Sequence, residues 1–317
     1  MSLRLMAALM ASLAVSACDG SPFGDGTSPP SGGGIGGGIG DGSGGGTDGG
    51  TDGGTDGGTD GGTDSGTTGI PAELKGNLVS ASFNPTSGTL TAVIDPLDAS
   101  PVTVTFARAP TLDRGGYQAF TYQETTSNRL FLALFKTSGD GAVSGGVTAS
   151  GQFTEMVWGA DYKANTAFAA PASGGLANYA GSYAGTLNTG VTVPGPGAPF
   201  DPIRPLRVQG EVLLNADFTN NSVEGGIRNR QVVETSGSLD DIFLTITDIS
   251  STGTFAGKVE FNDRTEAGTY GGAFGGAGGT AVAGAVDLKP VKSDSDLLEK
   301  GTFVLDRCVA GSPSPCP

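Results

Sequence analysis

Apolar and polar residues alternate with a period of two along the second half of the chain. In the segment GTFAGKVEF, Phe255, Val259 and Phe261 fall on one face of an extended chain, while Lys258 and Glu260 fall on the other. Alternation of this kind is typical of strands buried on one face only. The segment EVLLNADF shows the same pattern, and the TNN after it predicts a tight turn into a returning strand.

Eight such runs predict a closed barrel. Because most connections between them are short, we expect neighbouring runs to pair antiparallel, and an up-and-down barrel of eight strands removes the exposed edges. Glycines inside the runs, as in GTYGGAFGG, fit tight strand coiling in a narrow barrel. The runs lie at about 179–189, 206–218, 222–231, 241–248, 253–261, 268–275, 280–288 and 301–307.

Residues 1–17 have the pattern of a lipoprotein signal peptide. An apolar stretch follows Arg4, and small residues precede Cys18. The stretch is too short to span a hydrocarbon core of ~30 Å. VSAC matches the bacterial lipobox, so we expect cleavage before Cys18 and its modification with acyl chains such as palmitate, which anchor the protein in a membrane. An ordinary signal peptide with a chance cysteine is the alternative.

Residues 18–69 form a linker rich in Gly, Thr and Asp, with TDGG repeated. Because the segment has almost nothing to bury, we expect a disordered tether with a mean span of ~40 Å. A calcium-binding repeat would need a large apolar residue in each unit, and none is present. Loss of Arg4 with the leader changes the net charge from −15 to −16, which argues against nucleic acid as a partner.

The remaining two cysteines, Cys308 and Cys316, enclose a short loop of Pro, Gly and Ser within residues 308–317. In an oxidising compartment we expect them to form a disulfide. A metal site is the poorer reading, because the chain contains no histidine.

The order of these segments resembles the barrel domain of the transferrin-binding protein B family. The similarity rests on YAGSYAGTLN, VQGEVLLNADFTNNSVEGGIRNR, GTFAGKVEF and GTYGGAFGGAGGTAVAGAVDL, within 176–307. The resemblance implies a surface lipoprotein in which a β-rich handle precedes an eight-stranded barrel. Residues 70–170 are then the handle, and TLTAVID, PVTVTFAR, YQAFTYQE, RLFLALFK and AVSGGVTASGQF predict five short strands in it. No stretch matches a transferrin-contacting loop, and the chain has sequence for one lobe only.

Candidate chemistry is scarce. Without histidine, neither a Ser-His-Asp triad nor a Cys-His pair can form, so we expect no enzyme and no cofactor. Asp240 and Asp241 are adjacent, which indicates a turn rather than a carboxylate pair. Met156 could supply an axial ligand for haem, with Trp158 beside it, but packing in the core or handle is the better interpretation of both residues.

The longest barrel loop, 190–205, offers the weak ligand-binding candidates Phe200 and Arg204. The alternative, which we prefer, is that Phe200 closes the barrel end and Arg204 pairs with Asp201.

We therefore expect a monomeric lipoprotein that binds a host protein or an iron-bearing solute. A structural or adhesive envelope protein without a soluble ligand is the alternative. The resemblance favours the outer membrane and cell surface, whereas Asp19 directly after Cys18 is an inner-membrane retention signal in some bacteria.

Overall fold

The computed structural model describes residues 69–95, 100–124, 130–150, 157–188, 205–290, 297–312 and 315–316. Apart from the four-residue helix α1 (Ala72–Lys75) and a short 3₁₀ turn at Pro110–Leu112, the regular structure in these residues is β-strand. The all-β prediction is confirmed.

The first half forms an antiparallel sheet, called the handle below, in which each strand pairs with the next along the chain. Aromatic side chains such as Phe106, Phe120 and Phe131 are buried together on one face of this sheet. The sheet has seven strands where the sequence indicated five. They are β1 (Leu78–Asn84), β2 (Thr89–Ile94), β3 (Val102–Arg108), β4 (Gln118–Gln123), β5 (Leu130–Thr137), β6 (Val143–Ser150) and β7 (Trp158–Ala164).

The two strands missed from the sequence, β1 and β7, are the edges of the sheet and lie close together. A register shift between Leu78 and Ser80 breaks the alternation of β1. In β7, Asp161 stands among buried residues and accepts a hydrogen bond from the Ala81 N–H at 3.0 Å. Burial raises the pKa of the Asp161 carboxyl above its ordinary value. A carboxylate here joins the sheet edges, a role that local sequence does not reveal.

The second half forms a closed antiparallel barrel, as predicted, in which the first strand pairs with the last. The predicted inward residues Phe255, Val259 and Phe261 are buried in its core. The strands are β8 (Leu176–Asn188), β9 (Leu206–Asp217), β10 (Ser222–Val232), β11 (Ile242–Asp248), β12 (Thr254–Phe261), β13 (Glu266–Gly275), β14 (Ala281–Leu288) and β15 (Leu298–Arg307).

The handle packs on the outside of the barrel against β13, β14 and β15. Small residues on this outer face, Ala273, Ala281, Ala283 and Ala285, form one core cluster with handle residues such as Val147. Because alanine projects only a methyl group, the two sheets approach closely, and β14 is buried along its whole length. We call this part of the barrel the covered wall, and the outer face of β9 to β12 the open wall.

Candidate functional site

The barrel lumen is packed with aromatic side chains. Toward one end of the lumen, the ring of Phe274 is surrounded by those of Tyr179, Phe218 and Phe255, with centroids between 5.2 and 5.4 Å away. Tyr183 and Phe303 are also buried. A barrel of eight strands has a lumen just wide enough for side chains or one small ligand, and here side chains occupy it.

One end of the lumen contains a buried ionic network. Arg230 and Glu299, both with fully buried side chains, are joined at 2.7 Å, and the Tyr183 hydroxyl donates to Glu299 at 2.5 Å. Burial and the neighbouring Glu299 raise the pKa of Tyr183 well above its usual value. Arg230 also donates to the Asp240 carbonyl. The network ties β8, β10 and β15 together.

The covered wall also contains a buried charge pair. Lys300 Nζ lies 2.9 Å from Asp287, donates to the Glu73 carbonyl and sits 5.2 Å from the centroid of the Trp158 ring. Burial lowers the pKa of Lys300, although Asp287 opposes the shift. Trp158 therefore packs in the handle, over a cation of the barrel.

Tyr117 of the handle forms hydrogen bonds with the backbone of the barrel. The Tyr117 hydroxyl accepts the Val304 N–H at 2.9 Å and lies 3.2 Å from the Ser182 carbonyl. Pairing of β15 with β8 is interrupted at this point, between Phe303 and Asp306. The hydroxyl thus replaces a missing hydrogen bond between β15 and β8. The outer face of the covered wall is buried under the handle and is not accessible to solvent.

The open wall is shaped by a bulge in β11. Register shifts between the pairs Val223–Thr247 and Gly225–Leu244, so one extra residue of β11 faces β10. Strict alternation would turn Ile246 inward with Ile242 and Leu244, but its side chain is 67% exposed.

The bulge is held by contacts from β12 and β13. Inside the barrel, the Tyr270 hydroxyl donates to the Thr245 carbonyl at 2.5 Å. The ring reaches it across Gly257, where a Cβ would lie 2.6 Å from the tyrosine. Ladder pairing of β11 with β12 covers only Ile242–Leu244, and beyond it Thr245 and Thr247 donate their hydroxyls to carbonyls of β12. The bulge thus fixes Ile246 on the outer surface.

Two depressions flank Phe243, which is 38% exposed. One, of about 340 Å³, extends over β10 and the bulge, with Glu224, Arg228 and Glu260 among its lining residues. The other, of about 490 Å³, opens beside the barrel end. Its lining comprises Phe243 with Asp240, Asp241, Phe261, Asn262 and Asp263. Apolar centres with polar rims are typical of contact surfaces between proteins.

Several residues singled out from the sequence lie outside the described residues, namely Cys18, Asp19, Met156, Phe200 and Arg204. The Cys308–Cys316 disulfide is present, with Cα atoms 5.6 Å apart.

Asp240 and Asp241 lie before β11. Asp241 accepts the Asn229 N–H of β10 at 3.0 Å. Phe243 and Ile246 were missed from the sequence, since only the bulge distinguishes Ile246 from an inward residue.

The described part of the chain offers neither a metal cluster nor a membrane-spanning helix. It contains no group of three or more Cys, Asp or Glu side chains placed to hold a metal ion. No helix in that part has the length and apolar character needed to cross a membrane. The open wall thus presents the exposed Phe243 and Ile246 beside two depressions with polar linings.

No family model matches the chain, and no curated protein matches it in sequence. Solved structures with a similar fold include the N and C lobes of intact Ap-TbpB (12% identity, TM-score 0.41, covering 72% of this chain and 45% of that one). A transferrin binding protein B double mutant from Haemophilus parasuis Hp5 is 12% identical, with a TM-score of 0.40. The match covers 72% of this chain and 53% of that one. The isotype 1 transferrin binding protein B from Neisseria meningitidis serogroup B is 12% identical, with a TM-score of 0.31. The match covers 72% of this chain and 52% of that one.

This chain thus spans about half the length of the structures it matches. The closed eight-stranded barrel expected from the sequence is confirmed by the strand pairing of the described residues.

Proposed function

We propose that the protein is a lipid-anchored binding module of the bacterial cell envelope that engages a protein partner through the open wall of its barrel. The observation that carries the proposal is the contrast between a lumen filled by aromatic rings and an outer wall on which Phe243 and Ile246 are exposed beside two depressions. A filled lumen favours an external contact over an enclosed small solute, including an iron-bearing one.

Anchoring is the second part of the proposal and rests on the sequence. The lipobox at Cys18 and the acidic linker after it would hold the domain away from the bilayer, with the cell surface as the proposed side. Labelling with radioactive palmitate should depend on Cys18, so Cys18→Ser should abolish it. Protease treatment of intact cells should release the domain. Full protection would favour the inner-membrane location that Asp19 allows.

Photo-crosslinking tests the binding wall. A photo-reactive residue replaces Ile246 on the open wall or, as the control, Val102 on the handle, which is also exposed. With the full-length anchored protein in its native envelope, we expect one protein to cross-link saturably at 246 and not at 102. Protein without the photo-reactive residue should compete for the cross-linked partner.

A structural or adhesive role without a soluble partner predicts a different pattern. Cross-links would then be non-saturable at both positions, or limited to abundant envelope components. Either pattern would overturn the proposed binding function.

A further inference from the structure

A notch one residue wide crosses the open wall at Gly226. In the middle of β10, Gly226 pairs with Leu213 of β9 on one side and with Phe243 of β11 on the other. Because neighbouring strands lie ~4.8 Å apart, the two flanking Cα atoms are separated by about 9–10 Å. Two apolar side chains therefore face each other across a glycine.

The floor of the notch is backbone with one close neighbour. A Cβ at Gly226 would lie 3.1 Å from the Ile242 carbonyl oxygen and would meet no other atom outside the neighbouring residues within 4 Å. The preceding Gly225 faces inward, since a Cβ there would meet Leu214 in the core at 2.6 Å. The two adjacent glycines thus differ: one is required by packing, and the other leaves a gap on the surface.

The notch has an acidic rim. Charged residues lining the two depressions beside Phe243 comprise five carboxylates and one guanidinium: Asp240, Asp241, Asp263, Glu224, Glu260 and Arg228. A partner with basic groups beside an apolar one would complement this surface.

Charge also argues against the two occupants that the chain itself could supply. A second copy carries a net charge of −15, and the chain's own linker places eight aspartates and no basic residue between Cys18 and Lys75. Both would bring negative charge to an acidic rim, and like charges placed together oppose association.

We infer that the notch receives one aromatic side chain from an extended, basic segment of a partner protein. The inference rests on the proposed function and names the chemistry of that partner. In an extended segment, side chains two positions apart lie about 6.6–6.8 Å from each other on the same face. For a segment that runs along β10, an aromatic ring in the notch thus places a basic residue two positions away over Glu224, which lies two positions from Gly226 on that strand.

A peptide titration tests the inference with the full-length mature chain. The probe is a fluorescein-labelled five-residue peptide, blocked at its C-terminus, with tryptophan at the centre, arginine at both ends and serine between. One matched peptide replaces tryptophan by alanine, and another replaces both arginines by glutamate. Fluorescence anisotropy gives the affinity, and shifts of the Gly226 and Phe243 amide signals give the location.

Gly226→Thr fills the notch with a residue that favours strands, and it should weaken binding of the tryptophan peptide at least about tenfold. Phe243→Ala removes one wall and should act in the same direction. Asp95→Asn, which removes one negative charge from an exposed residue of the handle, should leave the affinity unchanged. Unchanged thermal midpoints establish that the variants fold. Both matched peptides should bind at least about tenfold more weakly than the probe.

Equal binding of the peptide to wild type and Gly226→Thr would overturn the inference, as would equal binding of the glutamate peptide. The two proposals fail separately. A partner that cross-links saturably at position 246 but is indifferent to Gly226→Thr would leave the proposed function standing and exclude the notch. Peptide binding at the notch without any saturable cross-link would do the reverse.

Discussion

The covered and open walls belong to one barrel but are built from opposite kinds of residue. Outer positions of the covered wall are alanines and one buried ion pair, whereas those of the open wall are Glu224, Glu260 and the exposed Phe243 and Ile246. The inward side chains of both walls pack in the same aromatic core. Stability and binding are thus assigned to different sectors of one closed sheet.

The same types of contact should therefore contribute differently on the two walls. An ion pair or a tyrosine hydroxyl under the handle has no access to water once its partner is removed. Its counterpart on the open wall can exchange the lost contact for a solvent contact. Matched substitutions on the two walls measure this difference directly.

The largest difference is expected between two ion pairs. Asp287→Asn leaves Lys300 buried without its charge partner, which should lower the free energy of unfolding by about 3–5 kcal/mol. Glu266→Gln, at the exposed start of β13, removes the charge partner of Lys258 on the open wall. Both side chains are about 60% exposed, so the free energy of unfolding should change by less than ~1 kcal/mol. Urea denaturation of both variants checks this, and equal effects would contradict the division of the barrel into two walls.

Two tyrosine hydroxyls give a smaller difference. Tyr117→Phe leaves the buried Val304 N–H without an acceptor, which should cost about 1–3 kcal/mol of stability. Tyr270→Phe frees the Thr245 carbonyl next to the solvent-facing bulge and should cost about 0.5–1.5 kcal/mol. The same denaturation assay measures both. A larger loss of stability for Tyr270→Phe than for Tyr117→Phe would contradict the expectation that the covered wall contributes more to stability.

A still smaller effect is expected in the pH dependence of stability. Burial lowers the pKa of Lys300 in the folded state, with Asp287 opposing the shift and Lys289 adding to it. Between that value and the unfolded pKa of ~10.4, the unfolded chain binds more protons, so the contribution of Lys300 to stability rises with pH.

The stability of wild type relative to Lys300→Met should therefore increase as the pH is raised within that window. Lys258→Met removes one charge from an exposed position of the open wall and serves as the comparison. Unfolding curves from pH 7 upward would measure the effect. A difference between wild type and Lys300→Met that stays flat or falls would show that Lys300 is not desolvated.

The barrel was predictable because its signal is periodic and local. Alternation in β12 placed Phe255, Val259 and Phe261 inside, and the short turns set the pairing of neighbours. Closure followed from the need to remove sheet edges. The handle was harder, because β1 contains a register shift and β7 carries a buried aspartate, and both features interrupt the alternation.

The open wall was not predictable in the same way. The sequence IFLTITD alternates regularly, so it assigns Ile246 to the core. The bulge that exposes it depends on contacts from two other strands, with the Tyr270 hydroxyl and the Thr245 and Thr247 side chains as the bonding groups. Gly226 resembles its neighbour Gly225 in sequence, and only the pairing register places it between Leu213 and Phe243.

Amide hydrogen exchange of the full-length protein tests the central claim, that the handle protects one wall and leaves the other accessible. Amides of Val282–Val286 and Thr302–Val304 should exchange only by global unfolding. Those of Thr245–Thr247, beyond the ladder with β12, should exchange at least about 100-fold faster through local opening. Equal protection of the two sets, or faster exchange in β14 and β15, would contradict the account.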